Sequence, residues 1–423
     1  MPRVRTTGPV LAGLALLALA GTAGARTPEQ VAEAALRAAP VWDGHNDVPE
    51  QLRERRKNMI ADFDFADTAG TAEPARGRLA LHTDIARLRK GRVGAQFWSV
   101  WVPATMSDLQ AVQAVLEQID VTKRLIARYP RDLQLATSAA EVEAAMRAGR
   151  IASLIGMEGG HGIGNSLAVL RQMHALGARY MTITHSKNTS FADSATDAPV
   201  HNGLTDFGRD VVREMQRIGM LVDLSHVSEK TMLDALDVAR APVIFSHSGA
   251  RAIASHPRNV PDSVLDRLKA NGGMVMVVTL PSYVSDEVRG WSIRFAAEKA
   301  RLEAANTGNP EAAKLALALW VRAGPPPRAS VAQVADHIDH VVKHAGIDHV
   351  GIGGDFDGME AVTQGLEDVS RYPALFAELA RRGYVQSDLE KIASRNMLRV
   401  LRAAEAYSAA RRGDQPIENP AAF

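Results

Sequence analysis

The chain has 423 residues, and its 49 Lys plus Arg against 48 Asp plus Glu leave a formal net charge of +1. Such a balance carries no overall field toward nucleic acid or an anionic membrane surface. An ordinary apolar content of 46% excludes extended disorder, and the absence of cysteine excludes both a disulfide framework and a lipid-modified N-terminal Cys.

In chain order, Arg3 and Arg5 precede an apolar run from Val10 to Ala20, and Ala23-Gly24-Ala25 offers small residues for cleavage. These are the three parts of a secretory signal peptide over residues 1–25, with retention as an N-terminal anchor the alternative. The apolar run is too short for a comfortable membrane span. Cleavage after Ala25 would release a mature chain, residues 26–423, that is periplasmic or secreted. Without disulfides it relies on its core, and on any bound metal, for stability.

Thr27-Pro28-Glu29-Gln30 then reads as a capped helix start, with Thr27 as N-cap and Gln30 closing a capping box. Eight strand candidates follow: Val41–Asp47, Val93–Val102, Ile151–Met157, Tyr180–Thr184, Met220–Ser225, Pro242–Ser246, Gly273–Leu280 and His349–Gly354. At least one helical pattern separates each from the next, among them Leu81–Lys90, Leu109–Tyr129, Asp206–Ile218 and Val331–Ala345. Alternation of this kind implies parallel strands, and about eight of them imply a single (β/α)₈ TIM barrel, with a doubly wound sheet as the alternative. Residues 282–330, with Gly324-Pro325-Pro326-Pro327, interrupt the rhythm as an inserted helical and loop region. Leu375 to Ala409 forms a helical C-terminal extension.

Chemistry-bearing residues fall where such a barrel places its active site, at the C-terminal strand ends. His45 and Asp47 end the first strand, Glu158 the third, His185 the fourth, His226 the fifth, His247 the sixth and Asp355 the eighth. Residues two apart on a strand share a face, so His45 and Asp47 converge on one point. Repeatedly ending apolar strands in ionisable groups is costly unless the groups serve one another or a metal. Five ligands, His45, Asp47, Glu158, His226 and His247, are too many for one open tetrahedral zinc and are better shared by two ions with a carboxylate between them. A pair of ions about 3.5–4 Å apart is the apparatus of a hydrolase. The remaining histidines divide in two. His82, His174, His201, His337, His340 and His344 read as surface or packing residues, whereas His161 and His256 stay ambiguous.

The segments Trp42-Asp43-Gly44-His45-Asn46-Asp47, Gly156-Met157-Glu158-Gly159, Asp223-Leu224-Ser225-His226, Phe245-Ser246-His247-Ser248, Arg258-Asn259-Val260-Pro261-Asp262 and Gly353-Gly354-Asp355-Phe356-Asp357-Gly358 resemble, in order, the membrane (renal) dipeptidase family of zinc peptidases. The resemblance spans most of the mature chain. It implies an amidohydrolase-type barrel holding two zinc ions, with His45 and Asp47 on the first, His226 and His247 on the second, and Glu158 bridging. It further implies that His185 stabilises the oxyanion, that Arg258 receives the substrate's free carboxylate, and that Asp355 shuttles a proton to the leaving amine. The implied reaction is attack of a bridging hydroxide on the peptide bond of a free dipeptide, and a homodimer is a further family expectation.

After His185 this chain reads Lys187-Asn188-Thr189-Ser190-Phe191-Ala192-Asp193 where the family often has a Cys-Asn-Thr-Pro-Trp-type run, which leaves side-chain preference open. The rival readings are another binuclear amidohydrolase acting on N-acyl amino acids or related carboxylate-bearing amides, and an exported binding protein on a catalytically dead barrel. Mixed N/O ligands leave the native metal open as well.

Overall fold

The computed structural model describes residue 2 and residues 26–420, so the expected leader lies, but for Pro2, outside the described residues. Nine strands occur among the described residues: β1 Val41–Asn46, β2 Val93–Trp101, β3 Leu133–Leu135, β4 Ile151–Glu158, β5 Ala178–Thr182, β6 Leu221–Asp223, β7 Ile244–Ser248, β8 Met274–Val278 and β9 Val350–Gly353. They run in the order β2-β1-β9-β8-β7-β6-β5-β4-β3, and a further β2–β4 pairing closes the ring. Every strand pair is parallel. Closure excludes the open doubly wound sheet and makes the fold a (β/α)₈ TIM barrel.

β3 is the strand that the pattern of eight does not contain. β2 occupies one edge of β4 from Ala152 to Glu158, so β3 and β5 share the other, β3 pairing with Ile151–Ser153 and β5 with Ile155–Glu158. Three residues are too short to give a periodic signal. The Thr27 capping box forms as read, with the Gln30 amide donating to Thr27 Oγ1 and the Thr27 amide to Gln30 Oε1. Two helices are shorter or more broken than their patterns suggest. Asp84 caps the helix Ile85–Lys90, and the C-terminal stretch divides into Tyr372–Arg381, Gln386–Glu390, a π-turn at Lys391–Arg395 and Asn396–Ala409.

The strands are apolar and buried on both faces, as a barrel wall covered by helices requires. One apolar cluster joins Trp42, Phe97, Leu154, Tyr180, Ile244 and Met276 of the strands to Met397, Val400 and Leu401 of the last helix. A larger one packs the remaining strand side chains against the surrounding helices. Residues 282–330 hold a helical hairpin, Asp286–Ala305 and Pro310–Ala323, joined at one end by the stacked rings of Trp291 and Phe295 with Trp320 beside them. No helix among the described residues is long and apolar enough to cross a membrane.

Candidate active site

β1 delivers the first pair of side chains, though not by the simple alternation of a strand. The β1–β2 register shifts between Asp43 and Asn46, and the strand stops at Asn46, so Asp47 sits beyond it at the start of the helix Val48–Arg56. A bulge re-aims side chains, and here His45 Nε2 and Asp47 Oδ2 still meet at 3.4 Å. Asp43, one residue before Gly44, ties the strand end down: it accepts hydrogen bonds from the amides of His45 and Gly354 and from the Tyr372 hydroxyl.

Glu158 ends β4 on the face that also carries Leu154 and Gly156. A Cβ at Gly156 would lie 2.0 Å from the Tyr180 ring, so the glycine is what lets that ring stand against the strand and bring its hydroxyl 2.9 Å from His45 Nδ1. The two carboxylate oxygens of Glu158 face different histidines. Oε2 is 3.4 Å from His45 Nε2 and accepts from Ser99 Oγ, whereas Oε1 is 2.8 Å from His226 Nε2 and 3.4 Å from His247 Nε2. His226 and His247 bring their Nε2 atoms within 3.0 Å of each other.

The proton on His247 can be placed. Ser246 Oγ donates to Asp223 Oδ2 at 2.6 Å, so toward His247 Nδ1, 2.8 Å away, it accepts. The proton therefore sits on Nδ1, and the Nε2 lone pair faces Glu158. Burial lowers His226 and His247 well below the usual imidazole value, which keeps both neutral. For Glu158, burial opposes ionisation, but His45, His185 and the bonds from His226 and His247 outweigh it and hold the carboxyl well below its ordinary range. Burial likewise opposes charge on His45, yet Tyr180, Asp47 and Glu158 draw it well above its ordinary value. A place that attracts a proton this strongly attracts a cation.

Three further observations fit a metal centre. Asp47 Oδ1 is buried with no hydrogen-bond partner among the described residues. Ligand atoms of His45, Glu158 and His247, of Glu158, His185 and His226, and of His45, Asp47 and Asp355 each gather within 4.8 Å. His226 and Asp355 hold positive φ, +70° and +62°, a conformation that costs on the order of 1–3 kcal/mol for a non-glycine residue and concentrates at functional sites. The donor set of imidazole and carboxylate suits zinc and its neighbours.

The other sequence-derived site residues converge on the same cavity of about 170 Å³, whose lining includes His185, Arg258 and Asp355. His185 lies 3.8 Å from Glu158 Oε1 with its ring edge-on to Trp101, and burial takes its pKa down to about 4. Burial and then the charge of Asp47 push Asp355 well above the usual carboxylate range. Arg258 is 1% exposed. It donates to Ser248 Oγ and the His247 carbonyl and stands over the Tyr283 ring, while its Nε has no partner and no carboxylate pairs with it among the described residues.

Both ambiguous histidines support this wall rather than join it. His256 Nδ1 accepts from the Arg258 amide, and His161 Nε2 bonds to the Val102 carbonyl. Glu50, Trp101 and Tyr283 line the cavity without having been singled out in the sequence. Glu50 was within reach, because it follows Asp47 by three residues on one helical face. Burial and then the charge of Asp47 raise its pKa to about 9.

A parallel barrel with a histidine–carboxylate cluster at its C-terminal strand ends defines the class: a metal-dependent hydrolase. The sequence model of the membrane dipeptidase family (peptidase family M19) matches residues 29–415. The chain belongs to that family, and it is a dipeptidase of the metallopeptidase type. It is 42% identical over 384 residues to dipeptidase tcpJ of Claviceps purpurea (strain 20.1), across 89% of this chain and 79% of that protein. The crystal structure of the probable dipeptidase PvdM from Pseudomonas aeruginosa shares the fold with a TM-score of 0.76 at 24% identity, covering 90% of this chain and 99% of that one. A metallopeptidase from Rhodobacter sphaeroides, liganded with a phosphinate mimic of the dipeptide L-Ala-D-Ala, does so with a TM-score of 0.69 at 24% identity, over 86% and 99%.

Proposed function

We propose that the chain is a binuclear-zinc dipeptidase in which His45 and Asp47 hold one ion, His226 and His247 the other, and Glu158 lies between them. Such a pair, held by these residues, would supply Lewis acidity that activates water at neutral pH and polarises the scissile carbonyl. The observation that carries the substrate reading is Arg258, a buried guanidinium on the cavity wall with no carboxylate partner among the described residues. Burying a charge unpaired is expensive, and the planar fork of arginine is built to take a carboxylate, so the substrate's C-terminal carboxylate is its counter-ion.

The protein's own groups then divide the work. Arg258 sets the carboxylate one residue beyond the scissile bond, so a dipeptide fits and a longer chain does not. His185 lines the same small cavity and donates an N–H to the oxygen on which charge develops. Asp355, against Asp47 at the mouth, carries a proton to the departing nitrogen. Trp101, Leu280 and Tyr283 give the cavity its apolar lining.

Elemental analysis of the purified chain, paired with a panel of free dipeptides and N-acyl amino acids before and after chelation, tests this reading. The expected result is about two zinc ions at the mouth and dipeptide cleavage that chelation abolishes and metal restores. Cleavage confined to N-acyl amino acids would move the substrate to the rival amidohydrolase, and metal without any hydrolysis would point to a dead barrel. We also propose that residues 1–25 are removed on export to the periplasm or exterior, giving Arg26 as the mature N-terminus by mass spectrometry. The enzyme is further proposed to work as a homodimer, which sedimentation would show as twice the chain mass.

A further inference from the structure

Away from the barrel mouth, the seam between two outer helices assembles a second donor set. The helix Asp262–Asn271 follows the Arg258 segment, and the helix Val331–Ala345 packs against it. Asp262 and Asp266 are one turn apart on the first, and His340 and His344 one turn apart on the second, so each pair presents a single face.

The two pairs meet across the seam. His340 Nε2 is 2.7 Å from Asp262 Oδ1, and His344 Nε2 is 3.5 Å from Asp262 Oδ2. The two imidazoles lie 4.5 Å apart, centroid to centroid. One ligand atom from each of Asp262, His340 and His344 falls within 4.8 Å of the others. With zinc–ligand bonds of about 2.0–2.1 Å, tetrahedral donors stand roughly 3.3 Å apart, so adjustments of side-chain torsions suffice.

The far side of His344 carries the independent mark of a ligand. Its Nδ1 lies 2.9 Å from Asp266 Oδ1, which accepts the ring N–H and so leaves the Nε2 lone pair aimed at Asp262. This carboxylate–histidine relay is how proteins orient metal-bound imidazoles. Hydrogen bonds account for two of the contacts, His340 Nε2–H to Asp262 Oδ1 and His344 Nδ1–H to Asp266 Oδ1. They leave His344 Nε2 facing Asp262 Oδ2 at 3.5 Å as one acceptor before another, a contact that a cation between them makes favourable.

We propose that Asp262, His340 and His344, with Asp266 positioning His344, bind one zinc-class divalent cation that clamps these two helices together. Three protein donors leave one position for water. The side chains of His340 and His344 are 12% and 21% exposed, so the ion reaches the seam from solvent without passing the active-site cavity. Asp262 lies four residues after Arg258, so the clamp anchors the segment that carries this cavity residue.

Equilibrium dialysis of the full chain against micromolar zinc, for wild type and H340A/H344A, gives the test, read as the difference in ions bound per chain. That difference is independent of how many ions the mouth holds. The expected result is one fewer ion in the variant, a smaller zinc-dependent rise in Tm, and dipeptide hydrolysis retained. Equal zinc content with an equal Tm rise would overturn the clamp. If circular dichroism shows the double variant unfolded, Asp266→Asn decides, since it keeps all three ligands. It should weaken the seam's zinc affinity by about 10–100-fold, and an unchanged affinity would overturn the proposal.

Discussion

The barrel mouth and the seam between the helices Asp262–Asn271 and Val331–Ala345 use the same two kinds of side chain in different surroundings. At the mouth His45 and His247 are each 1% exposed, and their second nitrogens are held by Tyr180 and by Ser246, which is itself held by Asp223. At the seam one histidine has one such partner, Asp266, and the ligand face is open to water. Buried charges interact through a low effective dielectric, whereas exposed ones are screened. The difference teaches that residue type provides a donor set, and that burial with second partners turns it into an apparatus for chemistry.

Removing the residue at the centre of the buried cluster should have the largest effect. Glu158→Gln takes away the one carboxylate whose two oxygens face both histidine sets. Loss of kcat/KM by about 10⁴-fold or more is expected, where each factor of ten is about 1.36 kcal/mol. Elemental analysis should show the mouth losing metal while the seam ion stays; retention of full activity would refute the bridging role. Asp355→Asn should lower kcat by roughly 10²–10⁴-fold, the range for a lost proton-transfer group, with metal content unchanged. A fall in KM-dependent binding alone would make Asp355 a ligand or a binding group instead.

Arg258→Met keeps much of the side chain's bulk and removes the fork. A drop of about 10–10²-fold in kcat/KM for dipeptides, mostly in KM, follows from losing charge-assisted hydrogen bonds of roughly 1.5–3 kcal/mol. Dipeptide amides, which lack the carboxylate, should be indifferent to the change. Ser246→Ala sharpens the comparison most directly, because it frees the His247 ring without touching a ligand. Metal affinity at the mouth should fall by about 10–100-fold, as for the corresponding loss of Asp266 at the seam. Competition with a chromogenic chelator would measure both.

The smallest effect concerns stability and lies outside both regions. Burial, then the charge of Arg179, lowers His174 from an ordinary 6.5 to about 4. The unfolded imidazole binds its proton near pH 6.5 and the folded one only near pH 4. This contribution is therefore complete above pH 6.5 and is lost as pH falls toward 4, because the unfolded state binds more protons in that window. His174→Gln should remove on the order of 1–2 kcal/mol of that acid sensitivity after allowance for partial exposure, with kcat untouched. Urea unfolding at pH 7 and pH 5 would show it, and an unchanged pH slope would contradict it.

Much of the fold was legible because a parallel barrel writes itself as alternation: apolar runs bounded by glycine and proline, then helical periods with Ser, Thr or Asp caps. β3 escaped because three residues carry no period, and the break at Lys391–Arg395 because the pattern on either side of a π-turn stays helical. The eight sequence-derived site residues meet at one mouth: seven stand at or just past the ends of apolar strands, which end at the same rim, whereas Arg258 lies ten residues beyond β7 and was given by the family resemblance alone. Glu50 and Tyr283 were not singled out, because both sit on helices, where a polar or aromatic residue reads as surface or packing.

By itself the sequence determined the strand count of the barrel and which ionisable residues stand at its rim, because these depend on local periodicity and on positions along single strands. Tertiary structure decided how those residues are used. Only closure of the ring turns the two oxygens of Glu158 toward different histidines, brings Tyr180 through the gap at Gly156, and leaves Arg258 buried without a paired carboxylate among the described residues. The same holds at the seam, where His340 and His344 looked like surface residues on one helix until Asp262 and Asp266 met them from another. Ligand geometry is a relation between segments far apart in the chain, and no local pattern encodes the angle at which two of them pack.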